Sequence, residues 1–260
     1  MITSVHNPHV QAVRQLQAHG KERRAQQLFV IEGVRLAEEA WQAGWAAKQV
    51  YFTDQLDERG QAVVNGFRKL GMPVEQVSQV VMNSMSETET AQGLLAVMNQ
   101  QTLPLPAAPH FLLILDSLRD PGNLGTILRT ALAAGAQGVL LAPGCVDAWS
   151  GKVLRAGMGA HFRLPIHGLS WTEIKDILKR PAGGLKVYLA DAQRGKLYTS
   201  ADFHIPMALI VGGEAAGAGN EALSLVDEAV HIPMPGGSES LNAAVAASLL
   251  LFEVVRQRGE

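Results

Sequence analysis

The runs FLLIL (111–115), GVLLA (138–142) and MALIV (207–211) contain no polar side chain. A strand with one wet face alternates apolar and polar residues. Unbroken apolar runs instead fit strands covered on both faces, the condition of a parallel sheet flanked by helices. FRLPI (162–166), KVYLAD (186–191) and AVHIP (229–233) extend the series. The second half of the chain is therefore expected to be an α/β domain on a mostly parallel sheet, with crossover helices on both faces.

The first half alternates on a smaller scale. HVQAVRQLQAH has apolar residues at helical spacing, QLFVIEG predicts a strand, and VRLAEEAWQAG a helix closed by Gly44. KQVYFT predicts a strand, DERGQAVVNGFRKLG a helix ending at Gly71, and GLLAVMN a last strand. The proline-rich NQQTLPLPAAPH follows, a stretch that resists regular hydrogen bonding and predicts a linker. The expected organisation is a small α/β domain over 1–100, a linker over 101–109 and the larger domain over 110–260.

The formal net charge is −2 and the sequence pI about 6.5. That argues against coating nucleic acid by bulk charge but leaves room for local basic patches. One such patch opens the chain: Arg14, Lys21, Arg23 and Arg24 face only Glu22 before residue 30. Lys152, Arg155 and Arg163 form a second. Each is either a solvated helix face or a set of phosphate contacts. The single cysteine, Cys145, excludes an internal disulfide and reads as a small apolar residue in a reducing compartment. No apolar stretch has the length to span a bilayer, and the N-terminal residues lack an apolar signal core, so a cytoplasmic protein without membrane contact is expected. The histidines show no metal-ligand spacing, and no metal is expected.

Three predicted strands lead into unusual loops: DSLRDPGNLG (116–125), VGGEAAGAGNEAL (211–223) and, after the last strand, PMPGGSESLN (233–242). Ligands in a parallel α/β sheet collect at the carboxyl ends of strands, where glycine lets backbone approach them closely. Within the loops stand Asn123, Glu214, Ser240 and Asn242, with Arg129 on the helix after the first. Asn123 is expected to cap that helix. Ser240 and Asn242 are either capping residues or part of a site. No phosphate-binding lysine loop and no nucleophile elbow is present, and the late glycine pattern poorly matches a dinucleotide fold. What remains is a cleft of backbone groups with few charges, better suited to adenosine and a sulfonium than to a triphosphate.

NLGTILRTALAAGA, LIVGGEAAG and IPMPGGSESLNAAVAASLLLFEVVRQR, in this order, resemble the three motifs of the SpoU/TrmH family of RNA ribose 2'-O-methyltransferases in the SPOUT superfamily. FVIEGVRLAEEA and SETETAQGLLAV resemble the accessory RNA-binding domain of many members. The resemblance implies a deep C-terminal trefoil knot, an S-adenosyl-L-methionine cofactor and a homodimer. By position it implies cofactor contacts at Gly212, Ile232 and Leu241, and a functional polar set of Asn123, Arg129, Glu214, Ser240 and Asn242. From the two basic patches, Arg14, Arg23, Arg24 and Arg155 are the expected RNA contacts. A guanidinium stays protonated in proteins, so Arg129 is expected to clamp a phosphate and stabilise a developing alkoxide rather than act as a base.

The expected activity is S-adenosyl-L-methionine-dependent methylation of a ribose 2'-hydroxyl, with ribosomal RNA favoured over transfer RNA by the accessory domain. Alternatives are a transfer-RNA 2'-O-methyltransferase, a non-catalytic RNA-binding or ribosome assembly factor, and an unrelated nucleotide-binding enzyme.

Overall fold

A computed structural model describes residues 1–180, 184–213 and 217–259. Helices α1 (Pro8–Ala18) and α2 (Gly20–Gln26) lead into β1 (Leu28–Glu32), α3 (Val34–Gln42), β2 (Ala47–Phe52) and α4 (Glu58–Lys69). β3 (Val74–Gln76), α5 (Gln79–Met85) and β4 (Leu94–Asn99) follow. Next come β5 (Phe111–Asp116), α6 (Pro121–Ala133), β6 (Val139–Leu141), α7 (Gly151–Gly157), β7 (Ile166–Gly168) and α8 (Trp171–Leu178). The chain continues with β8 (Lys186–Ala190), β9 (Lys196–Leu197), β10 (Met207–Gly212), α9 (Asn220–Leu223), β11 (Glu228–His231) and α10 (Ala243–Arg258). These elements form two compact units, one of Met1–Gln101 with Asp147–Phe162, the other of Thr102–Val146 with Arg163–Glu260.

The first unit carries a four-stranded sheet in the order β1-β4-β2-β3, antiparallel except for β2 with β3. Val10, Val13 and Leu16 of α1 meet Val81, Met82 and Met85 of α5 over Leu28, Val30, Tyr51, Leu95 and Val97. The apolar spacing of HVQAVRQLQAH is thus the core face of α1. An aromatic group packs Phe29 at 4.7 Å from Trp149 and Trp45 at 5.2 Å from Phe162, measured between ring centroids. Through it the segment 147–162, distant in sequence, packs within this unit.

The second unit is a seven-stranded sheet, β7-β6-β5-β10-β8-β11-β9, every pairing parallel. β5 is buried at all six positions, which is why FLLIL shows no alternation. Leu112, Ile114, Ala208, Ile210, Val187 and Leu189 point to one face, against Ile174, Ile177 and Leu178 of α8. α10 packs on β10 and β8 and against α6.

Two local expectations need correction. FRLPI is not a strand: Ala160–Phe162 is a 3-10 turn, and β7 begins only at Ile166. Phe162 belongs to the aromatic group of the first unit, and Pro165 lacks the N–H a ladder needs. DPGNLG is not a loop followed by a helix, since α6 already starts at Pro121. Proline at the first helical position loses no hydrogen bond, and Asp120 supplies the cap.

Candidate functional site

The carboxyl ends of β10, β8 and β11 frame an open cavity of about 200 Å³. Gly212, Ile232, Ser240 and Leu241, singled out from sequence, all line it. Its walls are small and aliphatic: Ala190, Val211, Val230, Ala243, Ala246. Asp191 is the one charged side chain among the described lining residues. Gly212 is required by close approach, because a Cβ there would lie 2.5 Å from the carbonyl carbon of Gly217 and 2.6 Å from the Ala218 nitrogen. Gly217 lies back against the strand end, in a bridge with Gly213.

Asp116 ends β5 with a carboxylate only 3% exposed. It accepts the Gly219 N–H at 2.7 Å and the Ser117 hydroxyl at 3.0 Å. It thereby ties the first strand of the sheet to the loop after β10. Sequence reasoning missed it; the available signal was one acid closing an otherwise apolar run. Asp191 was missed as well. Its Oδ1 accepts the Gln193 and Arg194 N–H groups, which turns the chain away from β8.

Asn242 caps α10, its Oδ1 accepting from the N–H groups of Ala244 at 2.9 Å and Val245 at 3.3 Å. Its Nδ2 donates to Oδ1 of Asn123 at 3.0 Å. Asn123 does not cap α6: Asp120 occupies that position and accepts the Asn123 N–H at 2.7 Å. The Asn123 side chain is left to join α6 to the start of α10. Lower on the same pair of helices, Ser248 Oγ lies 3.4 Å from Thr130 Oγ1. Arg129 is exposed on α6 and forms no ion pair among the described residues. Glu214 lies outside the described residues.

The basic residues of the first unit divide. Arg14 and Arg24 are exposed on α1 and α2. Arg23 is not available to RNA. It is 6% exposed, donates to Asp147 through Nε at 2.9 Å and Nη2 at 2.7 Å, and through Nη1 to the carbonyls of Leu16 and Gln17. Its guanidinium closes the C-terminal turn of α1, a structural task that a charge count along the sequence cannot distinguish from phosphate binding. Arg155, on α7, pairs with Glu87 at 2.9 Å and stays about one-third exposed.

Cys145 donates to the Leu115 carbonyl, and burial raises its thiol pKa, so it behaves as a packed small residue. Among the described residues no His, Cys, Asp and Glu side chains gather as a metal site, and no helix is long and apolar enough to cross a membrane.

Residues 110–252 match the SpoU rRNA Methylase family, and residues 7–96 match the MRM3-like substrate binding domain. The chain is 37% identical over 234 residues to 23S rRNA (guanosine(2553)-2'-O)-methyltransferase RlmP of Bacillus subtilis, covering 90% of this chain and 91% of that protein. It is 34% identical to the mitochondrial rRNA methyltransferase 3 of Homo sapiens, over 90% of this chain and 69% of that one. Among solved structures, the AdoMet-bound rRNA methyltransferase from Sinorhizobium meliloti superposes with a TM-score of 0.88 at 30% identity, covering 98% and 97% of the two chains. The chain belongs to the SpoU rRNA methylase family.

Proposed function

We propose that this protein methylates a ribose 2'-hydroxyl of ribosomal RNA with S-adenosyl-L-methionine. The observation that carries the reading is the cavity at the sheet's carboxyl edge, where Gly212, Ile232, Ser240 and Leu241 converge beside the Asn242–Asn123 hydrogen bond. The residues fit the cofactor. Aliphatic walls suit an adenine face, exposed strand-end backbone suits its edge, and no described lining side chain carries a positive charge to oppose a sulfonium. Gly212, Ile232 and Leu241 would hold it.

The cofactor supplies an activated methyl group on a positively charged sulfur. The chain's own residues must align the ribose oxygen and manage its proton, and alignment alone accounts for several kcal/mol of barrier. Arg129, exposed and permanently cationic, clamps the adjacent phosphate and stabilises negative charge growing on the ribose oxygen. Asn123, fixed by Asn242, orients the ribose, while Ser240 and Glu214 complete the site. Residues 1–100 serve as the RNA-binding domain through Arg14 and Arg24, and 110–260 as the methyltransferase domain, joined by 101–109; Arg155 on α7 adds a further RNA contact. The C-terminal part of the latter is read as a deep trefoil knot, on the resemblance of residues 232–258 to the third family motif.

A homodimer is the proposed assembly. Leu241, Val245, Leu249 and Phe252 are exposed at helical spacing on and just before α10, between 36% and 50% each, an apolar stripe that a second copy would cover. Phe252→Glu is expected to shift the sedimenting species from dimer to monomer.

The test is incubation with methyl-labelled S-adenosyl-L-methionine and in-vitro transcribed 23S rRNA, with transfer RNA and Arg129→Ala alongside. Label at a 2'-oxygen of the rRNA, lost in the variant, is expected. Label only in transfer RNA would overturn the substrate assignment, and failure to bind the cofactor would overturn the reaction.

A further inference from the structure

The first unit has a cavity of its own, about 300 Å³, which the cofactor site does not involve. Leu36 and Met158 give it apolar surface, and Arg35, Arg155, Gln92 and the carboxylates of Glu32 and Glu39 place polar groups around them. Arg35 and Gln92 are exposed and make no hydrogen bond or ion pair among the described residues. Arg155 is held by Glu87 through Nη1 alone, so its remaining N–H groups are not engaged by that pair.

The amide of Gln92 rests against bare backbone at Gly33. Gly33 has φ of +99°, and a Cβ on it would stand 2.3 Å from Gln92 Oε1. The side chain therefore lies across bare backbone that any larger residue would occupy. One wall is held by hydrogen bonds. Glu32, 8% exposed, accepts from Thr88 Oγ1 at 2.7 Å, from the Glu87 N–H at 3.1 Å and from Ser86 Oγ, pinning the segment that carries Glu87. Against this wall three polar side chains of the cavity keep unused donors.

We propose that this cavity binds one unstacked nucleotide of the substrate RNA. The base lies on Leu36 and Met158, Gln92 reads its edge with one donor and one acceptor, and Arg35 and Arg155 hold the flanking phosphates. Single-stranded RNA is read in this way, by splayed bases on a flat or polarisable surface with hydrogen bonds to their edges. The inference rests on the RNA-methyltransferase reading above and adds to it where the RNA is selected.

The test uses the intact protein and in-vitro transcribed 23S rRNA, with affinity measured by filter binding at several salt concentrations. Both side chains are exposed, so Gln92→Ala and Arg35→Ala are expected to melt as the wild type does. Gln92→Ala is expected to weaken RNA binding about 5–30-fold with an unchanged salt slope. Arg35→Ala is expected to weaken it and lower the slope by about one. In both, the KM for RNA rises, while kcat and cofactor affinity stay at wild-type values. If both variants bind and methylate RNA as the wild type does while Arg24→Ala weakens binding, the cavity is not a nucleotide site and the RNA reading stands. If the wild type binds the cofactor but no RNA, the proposed function falls and the cavity inference with it.

Discussion

The hydrogen bond from Asn242 Nδ2 to Asn123 Oδ1, 3.0 Å long, joins the first turn of α6 to the start of α10, and it can be removed without losing the helix cap. Asn242 has two tasks on one amide. Oδ1 caps α10 through Ala244 and Val245, and Nδ2 makes the link. Asn242→Ala removes both. The cap is worth about 1 kcal/mol, and a solvent-exposed side-chain bond about 0.5 kcal/mol. The sum, about 1.5 kcal/mol, corresponds to a Tm lower by about 3–6 °C for a chain this size. Asn242→Ser separates the tasks. Serine caps nearly as well as asparagine but is too short to reach Asn123, so stability falls by only about 0.5 kcal/mol and Tm by about 1–2 °C.

Methyl transfer responds differently. If the link positions Asn123 against the ribose, both variants lose about 10- to 100-fold in kcat, because small misplacements of aligned groups are costly. Labelled-methyl transfer at saturating cofactor and RNA reads this directly, and thermal unfolding reads the cap. A double-mutant cycle with Asn123→Ala is expected to give a coupling of about 1.4–2.7 kcal/mol in the activation free energy, since without Asn123 the link has nothing to position. The reasoning fails if Asn242→Ser melts like Asn242→Ala, or if it transfers methyl groups at the wild-type rate.

Arg129→Ala is expected to lower kcat by about 100-fold or more with cofactor affinity unchanged and stability within about 0.5 kcal/mol, since the side chain is exposed; near-full activity of Arg129→Lys would show that a point charge suffices and the fork geometry is unnecessary. Gly212→Ala forces a Cβ against the Gly217 backbone and should abolish cofactor binding in calorimetry at a stability cost of about 1–3 kcal/mol. Arg23→Ala strands the half-buried Asp147 and two carbonyls, costing about 3 kcal/mol in denaturant unfolding, yet leaves the salt slope of RNA binding untouched. His161 is fully buried, and desolvation lowers its pKa from 6.5 to about 4. The unfolded chain binds the extra proton between those values. The contribution of neutral His161 is therefore complete above pH 6.5 and lost as pH falls to 4, about 3 kcal/mol in all, and His161→Gln should flatten that part of the stability profile.

The sheet was legible because burial on both faces leaves a mark that needs no partner information: β5, β6 and β10 stand where unbroken apolar runs predict them. The cleft followed, since a parallel sheet puts all carboxyl ends on one edge, and Gly212, Ile232, Ser240 and Leu241 meet there. Capping was half legible. Asn242 caps α10, but at α6 the proline after Asp120 puts the cap three residues ahead of Asn123. Elements held by distant packing were invisible. β9 has two exposed residues, and β3 three half-buried ones, so neither offers a periodicity. The aromatic packing that brings Trp149 and Phe162 onto Phe29 joins residues more than a hundred positions apart, and no local pattern announces it.

The same contrast separates two uses of arginine. Arg23 and Arg24 are neighbours on one short basic helix, yet one is buried under four hydrogen bonds and the other exposed. Burial of a guanidinium is tolerable only when its donors are met, and the Leu16 and Gln17 carbonyls at the end of α1 together with Asp147 meet them. Arg129 is the reverse case: a cation on α6 that makes no ion pair among the described residues, on the helix whose first turn carries Asn123. The cavity itself presents no described cation. Keeping positive charge off the walls and on the adjoining helix suits two ligands of opposite charge, a sulfonium inside and a phosphodiester across the mouth. An Arg placed in the wall, for example by Ala246→Arg, is therefore expected to weaken binding of S-adenosyl-L-methionine far more than binding of its neutral-sulfur product. Equal loss for both ligands would mean that the wall excludes by size alone, and that the lack of positive charge among its described residues has no bearing on the cofactor.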